Sequence, residues 1–188
     1  MPPRESMDPE VKVFQEDVVS VFGANDAVEG DYAFLQAHEV GKTLARLGYK
    51  VANGGYGGTM EASSRGAKSQ FGDTIGVTCS IWKTSPNPYI DREIRTDSLK
   101  ERLETLIQAG TSGYVILPGA TGTLAELACV WEMTAKGLLE RRPIVCMGDF
   151  WRPVLDLMAE ERPSCAQYVC CAETPRELSG HFDSLMEG

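Results

Sequence analysis

Short apolar runs and longer amphipathic stretches alternate along the 188-residue chain. Five runs have the length and composition of buried strands: residues 18–22, 49–52, 74–78, 114–117 and 143–147. Between them, apolar side chains recur at helical spacing, as at Ala33, Ala37, Val40, Leu44 and Leu47. Strands separated by helices predict an α/β fold in which a doubly wound parallel sheet carries helices on both faces.

Residues typical of helix termini mark the start or the end of several predicted helices. Asp31 is expected to N-cap the first helix, which ends at Gly48. Capping boxes predict the starts of two later helices: Ser98 with Glu101, and Thr174 with Glu177. The second of these helices is expected to run to residue 186. Residues 80–96, which contain Ser-Pro-Asn-Pro, are predicted to form one long loop.

The two ends of the chain differ in character. Residues 1–17 are polar, contain three prolines and lack the apolar segment of a secretory signal, so they are predicted to be a flexible tail. Residues 18–188 are long enough for a single nucleotide-binding domain, and no linker or repeat divides them. No apolar run approaches the roughly 20 residues that span a bilayer. A cytoplasmic protein is therefore expected.

Charge and cysteine usage narrow the candidate functions. The net charge is −9 and there is no basic run, which argues against binding to nucleic acid or to an anionic membrane. None of the six cysteines forms a Cys-x-x-Cys pair, and both histidines are distant in sequence, so no metal site is predicted. Cys79, Cys129 and Cys146 are interpreted as small buried apolar residues. A redox role for the adjacent Cys170 and Cys171 is a minor alternative.

The most informative stretch, residues 118–126, follows an apolar run and precedes a helical one. Backbone N–H groups in such a glycine-containing turn, and at the helix start behind it, bind an anion. Glu126 then lies one turn inside the helix, on the side of that opening. A simpler interpretation is a capping box made by Thr123 and Glu126, which would only satisfy the helix start. Spacing alone favours the two interpretations equally.

A second glycine-rich stretch, residues 53–59, holds four glycines between an apolar run and a helix. Glycine allows positive φ angles and a close approach of the backbone to a ligand. The stretch is neither a Walker A loop nor a Gly-x-Gly-x-x-Gly fingerprint, so it indicates a dinucleotide site only weakly. In a doubly wound sheet, ligands bind beyond the carboxyl ends of the strands. Residues 23–25, 53–59 and 118–123 are predicted to meet there.

Together these stretches resemble the LOG ("lonely guy") family. The resemblance covers residues 18–157 and rests on five groups: residues 21–23, 54–62 and 66–67, Arg102, and residues 118–126. It implies a Rossmann-like, homodimeric phosphoribohydrolase that uses no cofactor. Such enzymes cleave the N-glycosidic bond of cytokinin nucleoside 5′-monophosphates to the free base and ribose 5-phosphate. Relatives often carry a lysine decarboxylase label, but no Schiff-base motif here indicates a pyridoxal phosphate enzyme.

The resemblance also implies roles for individual residues. Glu126 would lie at the ribose, where a carboxylate stabilises an oxocarbenium-like transition state or orients water. Arg102 would face Glu126 and contact the phosphate or form a bidentate pair with Glu126. Without the family, Arg102 is interpreted as an exposed helix charge paired with a nearby glutamate. The 5′-phosphate would be bound by Gly119, Thr121, Gly122 and Thr123. The nucleotide would be lined by Gly23, Asn25, Gly54, Gly55, Gly57, Gly58 and Thr59.

Two positions depart from the family pattern. Ala120 stands where the family motif has its second glycine. Alanine costs on the order of 1 kcal/mol if that position needs a positive φ angle, and otherwise its methyl group would only crowd the ligand. Leu103 stands where the family has a lysine after its arginine. These departures leave a second function open, namely a non-catalytic carrier or sensor of a nucleotide or phosphorylated cofactor. Molybdenum-cofactor carriers, which resemble this family, bind in that way.

Overall fold

The computed structural model describes residues 16–183. This part of the chain contains seven strands: β1 (Val18–Phe22), β2 (Lys50–Asn53), β3 (Thr74–Cys79), β4 (Arg92–Thr96), β5 (Gly113–Ile116), β6 (Ile144–Met147) and β7 (Cys170–Ala172). It also contains six α-helices: α1 (Tyr32–Arg46), α2 (Thr59–Lys68), α3 (Leu99–Ala109), α4 (Thr121–Ala135), α5 (Arg152–Glu161) and α6 (Pro175–Asp183). A 3-10 helix, Pro163–Tyr168, leads from α5 towards β7.

All strands of the sheet pair in parallel, in the order β4-β3-β2-β1-β5-β6-β7. The order runs outward from β1 in one direction and from β5 in the other, so these two strands lie side by side at the centre. Val21 of β1 is paired with Val115 of β5. The chain continues from β1 to β2 on one side and from β5 to β6 on the other. Because these two connections diverge, a crevice opens at the carboxyl ends of β1 and β5. The predicted doubly wound parallel sheet is confirmed.

Two apolar layers cover the sheet because neighbouring residues of a strand point to opposite faces. In β5, Val115 packs in the layer that contains Leu44 of α1. Tyr114 and Ile116 pack in the other layer, with Leu127 of α4. Both faces of the sheet are thus shielded by helices, and the loops at its carboxyl edge are left to form a site.

Two edge strands are absent from the sequence prediction. Residues 80–96 are not one long loop, because Arg92–Thr96 forms β4 alongside β3. Only Ile94 and Thr96 of β4 are buried, and its charged residues face solvent, as is common in edge strands. With three residues, β7 is too short to give a periodic signal. Both segments become strands through pairing with a neighbour, which local sequence does not encode.

The two predicted capping boxes are confirmed. The Ser98 hydroxyl accepts a hydrogen bond from the Glu101 N–H at 3.1 Å. The Thr174 hydroxyl accepts one from the Glu177 N–H at 3.2 Å. Asp31 does precede α1, but its carboxylate accepts a hydrogen bond from a residue outside the helix and makes no cap bond. The first helix therefore starts without a side-chain cap.

The predicted boundary between tail and domain stays a prediction, because residues 1–15 lie outside the described part of the chain. The same holds for residues 184–186 at the end of the predicted last helix. Within residues 16–183, no helix combines the length and apolar character needed to cross a bilayer.

Burial raises the pKa of the thiols of Cys129, Cys146, Cys170 and Cys171. Cys79 and Cys146 are buried, as predicted, whereas Cys129 is only partly buried. Cys170 and Cys171 lie on β7. Burial raises the pKa of the Cys170 thiol to about 11, so this thiol keeps its proton at neutral pH. Because the thiolate is the reactive form, this burial does not favour a redox role.

Candidate functional site

A cleft of about 520 Å³ opens at the carboxyl edge of the sheet, beside the ends of β1 and β5. All three predicted loops contribute to its wall. Eight of the predicted site residues line it: Gly23, Asn25, Gly54, Gly57, Arg102, Gly122, Thr123 and Glu126. Five do not: Gly55, Gly58, Thr59, Gly119 and Thr121.

The loop after β2 is held by a buried asparagine. The Asn53 side-chain nitrogen donates to the Met60 carbonyl oxygen at 3.0 Å, and its side-chain oxygen accepts from the Gly55 N–H at 2.9 Å. Gly55 has a φ angle of +79°, which few side-chain-bearing residues adopt. The Thr59 hydroxyl donates to the Ala24 carbonyl oxygen at 2.9 Å, which ties this loop to the one after β1. Gly55 and Thr59 therefore shape the loop rather than line the cleft.

The N-terminus of α4 forms another wall. The helix begins at Thr121 with Ala120 as N-cap residue, and no side chain caps it. The capping-box interpretation of Thr123 and Glu126 is therefore wrong, because both residues lie inside the helix. Thr123 is buried in the first turn and lines the cleft with Gly122. Free N–H groups of a first helical turn favour an anion at this end of the cleft.

Glu126 follows on the same helix and lines the cleft one turn further in. Its side chain is partly buried. Within residues 16–183, its carboxylate has neither a hydrogen bond nor an ion-pair partner. Burial raises the pKa of Glu126 to about 7, against the opposing effect of the Arg102 charge. A carboxyl group with this pKa exchanges protons readily at neutral pH, which suits acid–base chemistry.

Arg102 is held by backbone oxygens and aromatic rings. Its Nε donates to the Val77 carbonyl oxygen at 2.8 Å and its Nη2 to the Gly54 carbonyl oxygen at 3.2 Å. The guanidinium carbon lies 5.6 Å from the centre of the Tyr56 ring and 5.5 Å from that of the Trp82 ring. Burial lowers the pKa of Arg102. Its positive charge thus lies in the cleft wall without a neutralising carboxylate in contact, among the residues described.

Two of the three sequence interpretations of the Arg102 side chain need correction, whereas its contact with a phosphate stays a prediction. It forms no bidentate pair with Glu126 in the described structure, and the two groups interact only through their charges across the cleft. Nor is it an exposed helix charge, because it is partly buried and turned towards the sheet. The physical reason is that β3 and the glycine-rich loop offer carbonyl oxygens closer than any carboxylate.

Tyr56 and Trp82 are the functional candidates that sequence reasoning did not single out. Both line the cleft, and Trp82 belongs to the segment between β3 and β4. Two sequence features could have pointed to them: Tyr56 lies among four glycines, and Trp82 lies in the proline-containing segment that follows β3. No periodic pattern identifies an individual aromatic residue in such segments.

The structure explains both departures from the family pattern. Ala120 has φ −93° and ψ −156°, an extended conformation that alanine adopts without strain. The conditional penalty for a positive φ angle therefore does not apply. Leu103 packs against the apolar layer that contains Leu106 and Leu127, where a lysine would bring a charge to the core. Ala120 itself lines the cleft, whereas Leu103 does not.

As a whole, the cleft combines the N-terminus of a helix, a carboxyl group with a raised pKa, a guanidinium group and two aromatic rings. Among the described residues, no cluster of three His, Cys, Asp or Glu side chains could hold a metal ion. The helix N-terminus and the Arg102 charge favour an anionic ligand.

Known proteins share this sequence pattern and this fold. A protein of Archaeoglobus fulgidus, named only as uncharacterised, is 31% identical over 69% of this chain and 83% of its own. A cytokinin riboside 5′-monophosphate phosphoribohydrolase of Mycobacterium tuberculosis is 28% identical over 77% of each chain. The molybdenum cofactor binding protein of Rippkaea orientalis superposes with a TM-score of 0.73 at 22% identity, covering 92% of this chain and 98% of its own. The last likeness concerns the fold alone.

The model of the SLOG cluster4 family matches residues 16–178, which is most of the chain. The match includes every strand and all the cleft-lining loops described above. It agrees with the resemblance to LOG proteins that the two glycine-rich stretches indicated. The chain belongs to the SLOG cluster4 family.

Proposed function

We propose that this protein is a nucleoside 5′-monophosphate phosphoribohydrolase. In the proposed reaction, water attacks C1′ of the ribose, the bond from C1′ to the base nitrogen breaks, and the free base and ribose 5-phosphate form. The observation that carries the proposal is the partly buried carboxyl group of Glu126, which has no hydrogen-bond or ion-pair partner among residues 16–183 and lies one turn inside the helix that opens the proposed anion site. The name of the Mycobacterium tuberculosis relative supports the same class of reaction.

The proposed binding mode follows the order of groups along the cleft. The phosphate binds at the first turn of α4, beside Gly122 and Thr123. The ribose then lies next to Glu126, whose carboxylate stabilises the positive charge that develops on the sugar and accepts a proton from the attacking water. The departing base nitrogen takes up a proton from solvent, and Glu126 returns its proton to solvent before the next turnover. Arg102 adds a positive potential that attracts the anionic substrate.

Finer properties are also proposals. A cytokinin-type N6-substituted adenine as the base and a homodimeric assembly rest on the family resemblance. A cytoplasmic location, and a small molecule rather than nucleic acid or membrane as the partner, rest on the composition and net charge of the sequence.

Incubation with AMP and with N6-isopentenyl-AMP, followed by chromatography, tests the proposal. We expect release of the free base together with an equal amount of ribose 5-phosphate. Glu126→Gln should stop this release, whereas Glu132→Gln, an exposed change on the same helix, should not. Tight binding of AMP by the wild-type protein without any release of base would contradict the proposal and support the carrier alternative.

A further inference from the structure

We infer that Trp82 is the stacking platform for a planar aromatic base and so sets the preference of the cleft for nucleotides over plain sugar phosphates. This inference rests on the proposed function, since it assigns the base-binding part of the same site. The observation behind it is an indole that lines the cleft, stays exposed and is nevertheless held in place.

The exposed ring of Trp82 is a candidate contact for a ligand in the cleft. Its side chain is 40% exposed, whereas Trp131 and Trp151 are exposed by only 8% and 4%. A large exposed aromatic surface is costly in water, and in a concave site it is typical of ligand recognition.

Two neighbouring groups fix the indole. The Tyr56 ring packs edge-on against it, with 5.7 Å between ring centres and 90° between ring planes. The Arg102 guanidinium lies 5.5 Å from its centre. The backbone N–H of Trp82 also donates to the Cys79 carbonyl oxygen at 3.2 Å, which closes a turn directly after β3. The ring thus has little freedom left to lose when a ligand binds.

The segment that carries Trp82 is fastened to the glycine-rich loop at two points. The Tyr56 hydroxyl accepts a hydrogen bond from the Cys79 N–H at 2.9 Å. The Asn87 side-chain nitrogen donates to the Tyr56 carbonyl oxygen at 2.8 Å and to that of Gly55 at 3.2 Å. Tyr56 is therefore a positioning residue, and the two segments act as one unit that presents Trp82 to the cleft.

The platform and the anion site belong to different elements of one cleft. The anion site lies on α4, after β5, and Trp82 follows β3. Their separation on the fold lets them bind different parts of one ligand. Stacking on an aromatic side chain recognises the π-face of a base, a feature that ribose 5-phosphate lacks.

Calorimetric titrations with AMP and with ribose 5-phosphate test this assignment. We would carry them out in the Glu126→Gln background, so that AMP persists during the measurement. Trp82→Ala should weaken AMP binding by about tenfold or more and leave ribose 5-phosphate binding unchanged. Trp82→Phe, which keeps an aromatic face, should retain most of the affinity for AMP. Ile81→Ala, at the exposed neighbouring side chain outside the cleft wall, is the matched control and should change neither affinity.

Tryptophan fluorescence gives a second readout that needs no Ala variant. AMP should quench the emission of the protein with native Trp82, ribose 5-phosphate should not, and Trp82→Phe should abolish the AMP effect. Equal weakening of both ligands in Trp82→Ala, or unchanged AMP affinity, would overturn the inference. Failure of the proposed function has a different signature, because AMP would then bind and quench in a Trp82-dependent way while no base is released.

Discussion

The guanidinium of Arg102 occupies the space that a Cβ atom on Gly54 would need. Its Nη2 also donates a hydrogen bond to the Gly54 carbonyl oxygen, and its Nε donates to that of Val77 on β3. One side chain from α3 thus joins a strand and the glycine-rich loop. The lack of a side chain at Gly54 is what lets the cation enter the cleft wall.

Gly54→Ala should displace Arg102. The added methyl group would meet the guanidinium and, at 2.6 Å, the Met60 sulfur. Such crowding typically destabilises the fold by about 1–3 kcal/mol. Displacing the Arg102 charge from the cleft wall should in addition lower kcat/KM for AMP cleavage by about tenfold. Gly180→Ala is the control, because a Cβ there meets no atom within 4 Å and Gly180 lies on α6, outside the cleft wall. Rates of base release compare the two variants, and equal activity in both would contradict this role of Gly54.

Glu126→Gln should remove catalysis and keep binding. The amide has the shape of the carboxylate but neither accepts a proton nor carries the negative charge that stabilises the sugar cation. We expect the rate of base release to fall by about a hundredfold or more, while the affinity for AMP stays close to that of the wild type. Stopped assays and calorimetry measure the two quantities. Glu132→Gln should behave as wild type, and full turnover in Glu126→Gln would rule out the proposed role.

Glu126 should also make stability depend on pH. Its pKa is raised from 4.5 to about 7 in the folded state, so the folded protein binds this proton more tightly than the unfolded chain does. Stability therefore falls as pH rises from about 4.5 through 7. Glu126→Gln removes the ionisable group and with it the fall in stability. The substitution should therefore raise the free energy of unfolding at pH 8 by an amount on the order of 2 kcal/mol and change it little at pH 4.5. Denaturant melts at both pH values measure it, and an equal difference at the two would count against it.

Ala120→Gly, which restores the glycine of the family motif, should have only a modest effect. Ala120 has a negative φ angle, so glycine relieves no backbone strain there. Glycine is nevertheless favoured over alanine at an N-cap position, so we expect stability to rise by up to about 1 kcal/mol and AMP cleavage to persist. Gly55→Ala provides the contrast, since its φ of +79° should make alanine cost about 1 kcal/mol or more. Thermal unfolding compares the two, and a large gain in Ala120→Gly would show that the alanine is strained.

Leu103→Lys should destabilise the protein without improving activity. Leu103 packs against the apolar layer of α3 and α4, and a lysine there loses apolar contact and brings a charge towards the core. We expect a loss of about 1–3 kcal/mol in the free energy of unfolding. Leu99→Lys, at an exposed leucine of the same helix, should be nearly neutral. Higher AMP cleavage at unchanged stability in Leu103→Lys would mean that the missing lysine does matter for the reaction.

Some functional side chains were found in sequence but assigned the wrong contacts. Thr123 and Glu126 fit a capping box in sequence, yet the helix begins at Thr121. Both residues therefore lie inside the helix and line the cleft instead of capping the helix start. Arg102 was recognised as a site residue, but its carbonyl partners lie 25 and 48 residues away in the chain. Partners at such distances have no fixed spacing from which they could be predicted.

By itself, the sequence determined the order of buried strands and helices, because buried strands appear as short continuous apolar runs and helices as apolar residues at helical spacing. It also determined that the two glycine-rich stretches meet at one edge, because parallel strands bring their carboxyl ends together. Only the tertiary structure decided that Glu126 has no polar partner among the described residues, that Arg102 turns towards backbone oxygens, and that Trp82 lines the cleft. These three outcomes depend on contacts between segments remote in sequence, whose geometry arises only when the sheet is assembled.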